Sequence, residues 1–116
     1  MPMIFFSIIA AASAAVTPFE PASEADLRCV AALANVVSET TDEKLVSAYS
    51  AGLFYFLGKI DGRHPGFDVG AQLYRLLTQT DMAAKTDQEL NRCKTELGKR
   101  ANELGAAAQQ LEKAGK

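Results

Sequence analysis

Apolar positions along this chain form four separate helical stripes, preceded by one continuous apolar run. Leu27, Val30, Ala31, Ala34 and Val37 share a face, with Cys29, Leu33 and Val36 beside them. That spacing predicts a first helix over about 24–37, apolar around much of its circumference and therefore the best-buried element. Leu45, Tyr49, Leu53, Phe56 and Ile60 follow at intervals of four, four, three and four, the signature of a second helix. Gly62 is expected to close it in a left-handed cap, with Arg63-His64-Pro65-Gly66 as the turn beyond. Asp68 is a candidate N-cap for a short third helix over about 70–78 that buries Leu73, Leu76 and Leu77. In the last helix Leu90, Leu97, Leu104 and Leu111 recur every seven residues, with Cys93 on the same stripe.

Three pairs, Ser23 with Asp26, Thr40 with Glu43 and Thr86 with Glu89, have the spacing of capping boxes and would start the first, second and last helices. No β-branched alternating run accompanies them. The expected fold is all-α, a small four-helix bundle of three long helices and one short. The last helix, at about 40 Å, would be roughly twice as long as the first, at about 21 Å. Leu104 and Leu111 should therefore be less buried than Leu90. Gly52 and Gly58, inside the second helix, suggest close approach by a neighbour.

The continuous run is a different kind of segment. Residues 1–19 carry no ionisable side chain, and Met3 to Val16 ends in the small-residue series Ala10-Ala11-Ala12-Ser13-Ala14-Ala15. It is short for a bilayer span, and Ala12-Ser13-Ala14 fits an A-x-A cleavage pattern. The expected organisation is a signal peptide at 1–15, a spacer at 16–22 and one helical domain at 23–116. The opening Met1-Pro2-Met3 lacks the usual Lys or Arg, and an uncleaved anchor or a buried helix are the alternatives. Export to a Gram-negative periplasm is the expected localisation, with membrane contact only through an uncleaved signal segment. Two cysteines, Cys29 and Cys93, lie far apart without metal or redox-motif spacing, so in an oxidising compartment they are expected to form one disulfide.

With 14 acidic and 12 basic residues the net charge is −2, and Lys99-Arg100 is the only adjacent basic pair. Nucleic acid is an unsuitable partner for so dispersed a set of cations. The densest polar group is the turn that holds Asp61, Arg63, His64 and Asp68. It has neither metal-ligand spacing nor an evident nucleophile, so no catalytic residue, metal or cofactor is assigned. The consecutive Phe54-Tyr55-Phe56-Leu57 cannot all face one core. Phe54, Tyr55, Leu104 and Leu111 are the candidate interaction surface.

Tyr55-Phe56-Leu57-Gly58-Lys59-Ile60-Asp61-Gly62-Arg63, followed by Pro65-Gly66 and flanked by Arg28-Cys29 and Arg92-Cys93, resembles small exported two-cysteine helical proteins of unknown function from alphaproteobacteria. The resemblance covers most of the chain after the apolar run and implies no activity. A looser similarity, two cysteines tying helices in a small exported domain, is to the periplasmic acid-stress chaperones. The chain departs from them in cysteine spacing and in its longer last helix, and no chaperone residue is carried over. The functional expectation is a non-catalytic envelope module that binds a protein or peptide client. Two alternatives stand beside it: a small-ligand protein or enzyme using the Asp61-His64-Asp68 turn, and a structural homo-oligomer formed through the last helix.

Overall fold

The computed structural model describes residues 16–115; the expected signal peptide at 1–15 lies outside the described residues. Four α-helices make up a small all-α bundle: α1 (Pro21–Glu39), α2 (Glu43–Arg63), α3 (Val69–Gln79) and α4 (Thr86–Ala114), with a 3-10 turn (Met82–Lys85) leading into α4. There is no strand among the described residues. As the stripe predicted, α1 is the central element, burying Leu27, Cys29, Val30, Ala32 and Leu33. It packs most extensively on α2, which contributes Gly52, Phe56 and Ile60. Leu76 of α3, Met82 of the 3-10 turn and Cys93 of α4 complete the core.

Cys29 and Cys93 are bonded, with their Cα atoms 5.5 Å apart. The bridge joins α1 to α4 across 64 residues and stabilises the fold by about 4 kcal/mol in the loop-entropy picture.

All three expected capping boxes fail, each for a local reason. The first helix starts at Pro21, not after Ser23, because proline presets the backbone angle and needs no amide partner at the first helical position. Ser23 and Asp26 are then buried inside the first turns. Asp42, not Thr40, caps α2 by accepting from the amides of Lys44 (2.9 Å) and Leu45 (3.4 Å). Helix α4 grows out of the 3-10 turn with no side-chain cap. Thr86 instead donates to the carbonyls of Met82 and Ala83, and Glu89 pairs with Arg92.

Helix α2 also runs through Gly62 to Arg63, and the left-handed residue is Gly66, at φ 73°. Asp68 does cap α3, accepting from the Ala71 amide at 3.0 Å. The inner face of α3 is more polar than expected: Gln72 and Arg75 are buried with Leu76, whereas Leu77 is 49% exposed. Of the two glycines in α2, Gly52 meets its neighbour as expected. A Cβ there would lie 2.5 Å from Leu97 Cδ1, whereas nothing lies within 4 Å of one at Gly58.

Candidate functional site

The polar turn after α2 is built from structural contacts. Asp61 accepts from the Gly66 amide at 3.0 Å and so closes the turn, and Asp68 is used as the cap of α3. His64 Nε2 sits 2.8 Å from a Glu20 carboxylate oxygen, and its ring stacks on Phe19 with centroids 4.6 Å apart. Phe19 also meets Phe67 edge-on, and Thr17 offers its carbonyl to Gln72 at 3.0 Å. The segment before α1 is thereby fastened across the α2–α3 corner. Hydrogen bonds from Ser23 first, then from His64, pull the Glu20 carboxyl down from its ordinary value of 4.5 to about 2.

Arg63 turns away from His64 and donates to buried Asp26 at 2.8 Å. Asp26 also receives Lys59 at 3.0 Å, and Lys59 continues to Glu96 of α4 at 2.7 Å. Tyr55 donates to the same Glu96 at 3.0 Å and accepts from Arg100 at 3.1 Å. Burial opposes the Lys59 charge, but the Glu96 and Asp26 carboxylates outweigh it and hold the ammonium above its usual range. Burial likewise works against the Glu96 charge, and Lys59 with Tyr55 overcomes it, lowering that carboxyl. This ladder ties α1, α2 and α4 together. Its bonded partners are up to 45 positions apart, so no local motif could announce it. The buried Arg75, clamped on Glu24 of α1 and on Gln72, was equally invisible for the same reason.

The two pairs of candidate surface residues have different fates. Phe54 is 69% exposed, but Tyr55 is half-buried and committed to the ladder just described. Leu104 and Leu111 are 71% and 74% exposed, and every residue from Gly98 to Gly115 is exposed. Helix α4 therefore changes character along its length. Leu90, Cys93 and Leu97 belong to the bundle, whereas the last four to five turns, roughly 25 Å at 1.5 Å per residue, stand away from it. No grouping of three possible metal ligands occurs among the described residues. No helix among them is long and apolar enough to cross a membrane. No protein-family model, curated protein or solved structure matches the chain.

Proposed function

We propose that the chain is a small exported, non-catalytic envelope protein that binds a protein or peptide partner, or a second copy of itself, through the distal half of α4. One observation carries this reading: Leu104 and Leu111, on the stripe that begins in the core at Leu90, are 71% and 74% exposed on a helix anchored near its base by Cys93. Large apolar residues in register on a projecting helix are the anchors of helix recognition by a groove or by another helix. The disulfide supports an oxidising compartment. The non-catalytic part of the reading is supported by the polar turn, where Asp61, His64 and Asp68 each have a structural partner.

The test is a pull-down from the native envelope with the wild-type chain and with Leu104→Glu/Leu111→Glu. The expected result is a partner captured by the wild type and lost with the variant, at a melting temperature within the scatter of the wild type. Equal capture by both, or a variant that unfolds, would overturn the reading.

A further inference from the structure

A cleft of about 700 Å³ opens between the C-terminal half of α1, α3, the 3-10 turn and the start of α4. That volume is in the range of ligand sites, about 300–1,000 Å³. Its lining mixes apolar Ala31, Ala34, Leu73 and Leu77, the last 49% exposed, with polar Asn35, Ser38 and Thr86. Its rim carries two carboxylates, Glu39 and Asp87, and the lining contains no Lys or Arg.

Three further features bear on what would fill it. Glu39 is the last residue of α1, a helix with no basic residue in its last turn. A carboxylate therefore stands at the negative end of the helix dipole, an arrangement that a cation would relieve. The chain's own cations beside the cleft are engaged elsewhere: Arg28, 3.9 Å from Met82 Sδ, pairs with Asp81 at 2.9 Å, and Lys85, outside the lining, lies 4.0 Å from the same Asp81. Finally, the wall formed by the 3-10 turn is fixed in place. The Met82 amide donates to Thr80 Oγ1 at 3.2 Å, Thr86 holds the Met82 carbonyl at 3.2 Å, and Arg28 grips Asp81 at 2.9 Å. A wall held on both sides needs little ordering when something binds.

We infer that this cleft is a docking site for a peptide segment of a partner protein in which an apolar side chain is flanked by Lys or Arg. The apolar residue would enter against Ala34, Leu73 and Leu77, and the basic residues would reach Glu39 and Asp87. The site is distinct from the distal half of α4 and goes beyond the function proposed for it.

The experiment is an amide NMR titration of the disulfide-intact protein with two capped heptapeptides of equal apolar content, KLALLAK and ELALLAE. The basic peptide is expected to saturate, with shifts confined to the cleft residues, and to bind at least about tenfold more tightly than the acidic one. Both rim positions are exposed, so Glu39→Lys/Asp87→Asn should stay folded and reverse the preference. Leu104→Glu/Leu111→Glu should titrate as the wild type does, which separates a failure here from a failure of the α4 reading. Equal affinity for both peptides, shifts concentrated beyond Gly98, or no binding of either at about 1 mM would overturn the inference.

Discussion

The two halves of α4 obey different rules although one heptad stripe runs through both. Up to Leu97 the helix is held by side chains that other elements supply. Cys93 is bonded to Cys29, Glu96 is bridged to Lys59, and Leu97 sits in the notch left by Gly52. Just beyond it Arg100 still reaches Tyr55 of α2 at 3.1 Å and also pairs with Glu103 of its own helix. The distal half extends a helix already nucleated in the packed half, so only propagation, weakly favourable per residue, holds it, and it can fray from its end. A leucine every seven residues thus marks a face, not burial. What decides burial is whether another element reaches it, and beyond Leu97 every residue from Gly98 to Gly115 is exposed.

The largest perturbation that separates the halves is loss of the bridge. Cys29→Ala/Cys93→Ala should lower unfolding stability by about 4 kcal/mol, measured by urea denaturation. Leu104→Glu/Leu111→Glu should change it by no more than about 0.5 kcal/mol, as exposed substitutions do. Comparable losses from both variants would erase the distinction.

Glycine replacements sharpen the comparison at a smaller scale. Gly58→Ala introduces a Cβ into open space in α2 and should raise stability by about 1 kcal/mol through helix propensity. Gly52→Ala meets Leu97 and Leu33. It should give no gain and a loss of up to about 2 kcal/mol, because overpacking offsets the propensity term. Thermal melts of the two single variants should therefore move in opposite directions.

The smallest expected effect concerns the segment fastened before α1. The Glu20 carboxyl has its ordinary value of 4.5 when the chain unfolds and about 2 in the fold. Its contribution is present above pH 4.5 and lost as the pH falls toward 2. Melts between pH 2 and pH 7 should show this loss in the wild type and a shallower one in Glu20→Gln.

The all-α fold and the bridge were legible because periodicity and cysteine usage are properties of the chain as a whole. The direction taken by Leu104 and Leu111 was legible too, from helix lengths alone. The cap of the short third helix, Asp68, was legible, but the starts of the other three were not, since Pro21, Asp42 and the 3-10 turn outcompeted the Ser and Thr residues that fit the capping pattern. Nor were the contacts of Asp26, Lys59 and Arg75. Charged residues on predicted helices read as solvated faces, and only the packed arrangement shows that Asp26 and Arg75 are 3% and 2% exposed. The cleft could not be foreseen at all, because its walls come from four elements. Of the polar turn, the sequence named the residues but not their partners. Glu20, the partner of His64, lies 44 residues away.

Native-state hydrogen exchange along α4, in dilute disulfide-intact protein, tests the division of this helix most directly. Amides from Leu90 to Leu97 should exchange only through unfolding of the bundle, whereas those beyond Gly98 should exchange through local opening, at least about a hundredfold faster. Uniform protection along the whole helix at low protein concentration would contradict the account, because it would mean that Leu104 and Leu111 are held by the chain's own core.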